Sequence, residues 1–218
     1  MYHLLHVLSW LLTTLWFRLR KFGRENIPKE GPAILVCNHL RMMDTACIIA
    51  FSPRKVCFMA KKELFENPFL RAVLTSIDTF PISRGEADLS GIRTALRILK
   101  DGGLLCIFPE GTRNKARKEP LLPLQEGVAM ISLRAKAPIV PMWVDGGYAP
   151  WSRCVIGAGK PMDLGEYEGL RRVDAAAMKR LTAQMREDML AVRADMPTFV
   201  VKCAAPLISN FTLLGRPD

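Results

Sequence analysis

The chain has 218 residues, enough for one domain with a substantial core, and no linker, repeat or low-complexity segment divides it. Its formal net charge of +10, from 31 Lys plus Arg against 21 Asp plus Glu, points to an anionic partner such as lipid headgroups, a phosphorylated substrate or nucleic acid. With 50% hydrophobic residues and a mean hydropathy of +0.12, it is too polar for a polytopic membrane protein, yet apolar enough for a globular core that touches a membrane.

Residues 4–19 carry Leu4, Leu5, Val7, Leu8, Trp10, Leu11, Leu12, Leu15, Trp16, Phe17 and Leu19, while His6, Ser9 and Thr13 draw a narrow polar stripe at helical spacing. The basic residues Arg18, Arg20, Lys21 and Arg24 follow this segment instead of preceding it, which argues against a signal peptide. The segment is also shorter than the ~20 apolar residues of a spanning helix. We expect residues 1–24 to form an amphipathic membrane-anchoring helix on an anionic leaflet, with the protein at the cytoplasmic face. A hydrophobic helix packed on the domain and a tilted single span are the other readings; in the latter, the basic flank still leaves the domain in the cytoplasm.

From residue 25 to 196 strands alternate with helices. The spacing predicts strands at Ile34–Cys37 and Lys55–Met59 with a helix at Thr45–Phe51 between them. A helix bearing Leu89, Ile92, Ala95, Leu96 and Leu99, capped by Asp88 or Ser90, closes at Gly102 and Gly103 before a strand over 104–108. A helix at Gly127–Ala135 leads into Pro138–Val144, a buried strand whose internal proline places it at an edge or a strand end. A short strand at Cys154–Ile156 precedes a helix over 170–194, with Leu170, Val173, Ala177, Leu181, Met185, Met189 and Val192 on one face. The fold class is therefore α/β, a mixed and largely parallel sheet flanked by helices. The apolar tail, 197–218, forms a separate segment of unspecified role.

Six cysteines, Cys37, Cys47, Cys57, Cys106, Cys154 and Cys203, lie mostly in apolar runs without CxxC or secretory spacing, and read as reduced core thiols of a reducing compartment. Polar clusters follow two of the strands: Asn38-His39-Leu40-Arg41-Met42-Met43-Asp44, and Phe108-Pro109-Glu110-Gly111-Thr112-Arg113-Asn114. Positions five apart diverge by ~140° on a regular helix, so His39 and Asp44 converge only across a turn. There the carboxylate would hold one imidazole nitrogen and free the other to take a proton, although a loop histidine capped by a nearby aspartate is the plainer reading. No serine or cysteine stands in a nucleophile elbow, so such a dyad would activate a hydroxyl of the substrate. Gly111, the Thr112 hydroxyl and the Arg113 guanidinium have the composition of a phosphate site, and Arg84 follows a third apolar segment. Gly157-Ala158-Gly159-Lys160 lacks the remaining residues of a P-loop, and the Asn210-Phe211-Thr212 sequon has no secretory context.

These clusters, with Lys62-Glu63-Leu64-Phe65 and Pro68, Phe80-Pro81-Ile82-Ser83-Arg84, and Ala137-Pro138-Ile139-Val140-Pro141, resemble in order and spacing the sequence blocks of the 1-acyl-sn-glycerol-3-phosphate acyltransferases. The resemblance covers about 38 to 141 and implies that 25–196 is an acyltransferase domain. It implies transfer of a fatty acyl group from a thioester, acyl-coenzyme A or acyl carrier protein, to the sn-2 hydroxyl of lysophosphatidate, giving phosphatidate, with no metal or other cofactor. On this reading His39 is the base and Asp44 its orienter. Glu110, Gly111, Thr112, Arg113 and Arg84 hold the acceptor, and Ile139 and Pro141 help shape the acyl side. Pro81-Ile82-Ser83 is one of several wordings of its block, and Arg41, Met42 and Met43 are unusual fillings. Other acceptors (glycerol-3-phosphate, another lysophospholipid, a lipid-linked amine) and a non-enzymatic lipid-binding role stay open. Nucleic-acid binding lacks its expected aromatic series or helix-turn-helix.

Overall fold

A computed structural model of the protein describes residues 7, 9, 11–16, 18–83, 89–146, 153–167, 169 and 172–196. Within them the strands β1 (Leu19–Phe22), β2 (Ala33–Cys37), β3 (Val56–Lys61), β4 (Thr79–Ile82), β5 (Leu104–Ile107), β6 (Ile139–Gly146) and β7 (Cys154–Ala158) form one sheet, ordered β1-β7-β6-β2-β5-β3-β4. Every pairing is parallel except that of β6 with β7. The mixed, largely parallel sheet expected from the alternation of elements is thus present.

Central β2 is buried along its whole length, which is why it reads as an unbroken apolar run. The helices α1 (Met43–Phe51), α2 (Pro68–Ser76), α3 (Leu89–Lys100), α4 (Gly127–Ala135) and α5 (Ala175–Ala194) flank the sheet. Leu35, Cys37, Val56 and Phe58 pack beneath Cys47, Ile48 and Phe51 of α1. Ile34, Val36, Leu105 and Ile139 pack on the opposite face with residues of α3, α4 and α5. The connections β2-α1-β3 and β3-α2-β4 step across the sheet in one direction, and β4-α3-β5 steps back. Right-handed crossovers therefore put α2 on the α1 face, and Ile77 at its end joins the α1-side core.

Several expectations change. The N-terminal helix does not run to residue 19. Val7, Ser9 and Leu11 are helical, Leu12–Trp16 is π-helical, and a left-handed Arg18 (φ 46°) turns the chain into β1, whose partner is β7. Thr13 is fully buried, its hydroxyl donating to Ser9 O at 2.7 Å, while Val7, Leu11 and Leu15 are exposed. No helix among the described residues is long and apolar enough to cross a membrane.

β6 is interior to the sheet despite Pro141. The antiparallel ladder with β7 begins at Met142, and at Pro141 only the carbonyl bonds that side, accepting from Gly159 N at 2.8 Å. The proline thus falls where a missing N–H costs one terminal bond. The last helix starts at Ala175, because Asp174 caps it by accepting from Ala177 N at 2.7 Å; Ala177, Leu181, Met185, Met189 and Val192 line its buried face as expected. Ser90 lies inside α3, and Asp88 falls outside the described residues, as do Leu170 and the tail 197–218.

Candidate active site

The polar clusters at 38–44 and 108–114 leave the C-terminal ends of β2 and β5, which are adjacent and parallel, so both open on one edge of the sheet. Asn38, the first residue beyond β2, is fully buried, and its side-chain amide pairs with both backbone groups of Val144 at 2.8 Å each. It extends the β2–β6 ladder by one side chain and fixes where the chain turns.

His39 is held at three points. Its N–H donates to Glu110 Oε1 at 2.8 Å, its carbonyl accepts from Asn114 N at 2.7 Å, and its ring stacks on Phe108 with centroids 4.0 Å apart. Asp44, in the first turn of α1 and fully buried, brings Oδ2 to 2.8 Å from His39 Nδ1. The same oxygen accepts from Leu40 N at 2.7 Å and Arg41 N at 2.8 Å. Two backbone donors thus orient the carboxylate before it meets the imidazole. With Nδ1 donating to it, the ring presents a basic Nε2, and the side chain retains 17% exposure through which a substrate can reach it.

Glu110 has a different position from that of an acceptor ligand. It is 4% exposed, and its second oxygen accepts from Leu122 N at 2.9 Å, so both oxygens tie backbone segments together. Burial raises its pKa, opposed by the two amides that solvate the charge. Beyond it Gly111 adopts a left-handed φ of 64° and donates its N–H to Phe108 O at 3.0 Å, closing a turn that no side chain would enter easily. Thr112 and Arg113 stand exposed on this turn, immediately before the Asn114 amide that bonds His39. The Asn114 side chain, buried, donates to Glu119 O and accepts from Arg117 N, which shapes the rest of the loop.

Ile139 does not border this site. It pairs with Ile34 near the start of β2, about five residues or roughly 16 Å from His39, and is fully buried among the α3–α5 core. Pro141, opposite Val36, is likewise enclosed within the sheet. Both are buried core residues. Arg84 lies outside the described residues; β4, which leads toward it, ends on the same sheet edge, with Ile82 opposite Lys61. Sequence reasoning gave no role to Asn38, Phe108 or Asn114. An asparagine directly after the β2 run and an aromatic residue directly after the β5 run were the available signals for the first two.

Among the described residues, no thiol competes with His39 for the chemistry. Cys37, two residues away, is fully buried, and burial first, then the neighbouring acidic and thiol groups, pushes its pKa well up. Burial does the same at Cys106 and Cys57, and at Cys47 the hydrogen bond with Cys154 and burial act together. The five described cysteines are free.

A family model described as acyltransferase matches residues 18–145, from the start of β1 to the end of β6. The chain belongs to that family. Among curated proteins, a 1-acyl-sn-glycerol-3-phosphate acyltransferase of Bacillus subtilis is 33% identical over 129 residues, 59% of this chain and 63% of that protein. One from Helicobacter pylori is 37% identical over 116 residues, 51% of this chain and 48% of that protein. The matched region therefore covers less than two thirds of either relative. The crystal structure of the 1-acyl-sn-glycerophosphate (LPA) acyltransferase PlsC from Thermotoga maritima superposes with a TM-score of 0.69 over 88% of this chain and 78% of that one, at 23% identity, which establishes the shared fold. His39, Asp44 and the 110–113 turn all fall within the acyltransferase match.

Proposed function

We propose that this protein transfers a fatty acyl group from a thioester, acyl-coenzyme A or acyl carrier protein, to the sn-2 hydroxyl of lysophosphatidate, forming phosphatidate. The observation that carries the proposal is the 2.8 Å His39–Asp44 pair on a strand-end loop whose backbone is anchored through both its N–H and its carbonyl, with no protein nucleophile bonded to the imidazole among the described residues. His39 Nε2 takes the acceptor's hydroxyl proton as the oxygen attacks the thioester carbonyl. The tetrahedral adduct collapses by breaking the C–S bond, and the imidazolium returns the proton to the departing thiolate. Asp44 holds the imidazole and balances its transient charge. Gly111, Thr112 and Arg113, with Arg84 as a further contact, receive the acceptor's phosphate, because a guanidinium can grip two of its oxygens. Glu110 braces the His39 backbone. The names of the relatives support lysophosphatidate as the acceptor and an acyl donor as the second substrate.

We infer that the apolar segment preceding β1 is an interfacial anchor on an anionic leaflet at the cytoplasmic face. The exposed Val7, Leu11 and Leu15 support this, as does the basic flank that follows. The test is an assay of the detergent-solubilised chain with lysophosphatidate and, separately, each thioester. Phosphatidate should form with at least one donor, and the His39→Ala variant should make none while remaining folded. Equal turnover by that variant would overturn the mechanism.

A further inference from the structure

The helix α2 links two strands of the sheet and yet buries none of its residues. Phe69 is 74% exposed and Val73, one turn later, 42%, with Leu64 of the preceding 3-10 turn also 42%. The helix is well started: Pro68 occupies its first turn, and the Asn67 side chain accepts from Phe69 N at 3.0 Å and Leu70 N at 3.1 Å. The apolar residues are therefore presented outward on a regular element.

Their distribution over the molecule is uneven. The α1 helix packs against the π-helical Leu12–Trp16, and along this N-terminal stretch Val7, Leu11 and Leu15 face out at four-residue steps while Thr13 faces in. Met42, exposed by 67%, stands between His39 and α1. Of the eight exposed large hydrophobic residues among the described residues, seven thus belong to the α1–α2 side or to the rim beside His39. The other is Leu89, at the start of α3, and the 20-residue α5 across the sheet contributes none. Isolated exposed hydrophobics are ordinary, but their concentration on one face marks a contact surface.

Charge identifies the contact. Exposed Lys61, Lys62 and Arg71 border α2 against the acids Glu63 and Glu66, with Glu63 paired to Lys61 at 2.9 Å, and exposed Arg41 lies beside Met42. This local cationic surplus adds to the chain's +10. We propose that α2, with Leu64, is a second membrane-docking element that seats the His39 edge of the sheet on an anionic bilayer, independently of the N-terminal segment. Its purpose, delivery of lipid acceptors directly to the site, rests on the acyl-transfer reading above.

The test uses the full chain carrying Phe69→Ser and Val73→Ser, sedimented with vesicles of phosphatidylcholine alone or mixed with phosphatidylglycerol, in the absence of thioester. Binding to the mixed vesicles should fall about tenfold or more, and thermal stability should not change because neither side chain is buried. Lys62→Gln with Arg71→Gln should weaken binding to the mixed vesicles alone. In a separate Phe69→Trp variant, brominated lipid should quench fluorescence beyond the quenching seen in the wild type. Unchanged vesicle binding by the serine variant, or no added quenching, overturns the proposal. A loss of self-association with vesicle binding intact would also overturn it, in favour of a second copy as the occupant. Because binding is read without turnover, failure of the acyl-transfer mechanism would show in the activity assay and leave this measurement standing.

Discussion

Replacing Asp44 with Asn separates the charge of this residue from its geometry. Three N–H groups, His39 Nδ1, Leu40 N and Arg41 N, converge on Oδ2 within 2.7–2.8 Å. An amide nitrogen in that place would face three donors, so the amide oxygen must take it, and the imidazole keeps its orientation. Each bond loses its ionic partner, about 1 kcal/mol apiece, so the fold should weaken by about 3 kcal/mol. For a chain of this size that corresponds to a fall of about 6–12 °C in Tm. The catalytic cost is larger. Unit charges ~4 Å apart attract by about 4 kcal/mol at an effective dielectric of about 20, and partial solvent access at His39 reduces this to about 2–4 kcal/mol. The imidazolium formed during proton uptake loses that support, so kcat should drop about 30- to 1,000-fold, with acceptor KM nearly constant because the buried carboxylate touches no substrate. Steady-state assays well below the variant's Tm would measure this. Wild-type kcat in Asp44→Asn beside an inactive His39→Ala would refute the electrostatic role and leave Asp44 as a structural cap.

Glu110→Ala leaves the buried N–H groups of His39 and Leu122 without acceptors, each costing about 1–3 kcal/mol, so urea denaturation should show a loss of about 2–6 kcal/mol. Turnover should fall with it, because His39 loses one of its backbone anchors. The native pKa of Glu110 is raised by burial, so the folded state holds this proton more tightly than the unfolded chain. The stability attributable to Glu110 is then fully present below the ordinary carboxylate value and declines as pH rises through the native one. The difference between wild type and Glu110→Ala should therefore narrow from acid toward neutral pH. Gly111→Ala forces a Cβ into φ 64° and to 3.4 Å from Gln125 Cγ, and should cost about 1–2 kcal/mol in thermal unfolding.

The His39–Asp44 contact was legible because a five-residue step can close only over a turn, and the strand before it was an unmistakable buried run. Glu110 was visible as a residue and misread as a ligand. Its direction is set by the 108–125 loop folding back, with Gln125 N bonded to Pro109 O, and nothing local encodes that return. Pro141 read as an edge or a strand end because a proline removes a donor, but which neighbour needs that donor depends on the register with β7. Leu19–Phe22 looked like the end of a helix since its partner, Cys154–Gly157, lies more than a hundred residues away. The α2 helix was missed although Asn67-Pro68 is a usable start signal. In the N-terminal segment, periodicity alone does not say which side the protein occupies, and the structure turns Thr13 inward and Val7, Leu11 and Leu15 outward.

The Asn38 side chain that completes the β2–β6 ladder also bears on how the site comes into being. The geometry of His39 depends at once on segments near residues 44, 110, 114 and 144, so no hairpin or local fragment can assemble it. A nascent chain cannot acquire the site until β6 has been synthesised and has docked beside β2, and a partly unfolded molecule surrenders it as soon as that seam opens. Turnover would then disappear with the cooperative loss of the central sheet, leaving little room for an active but half-folded species.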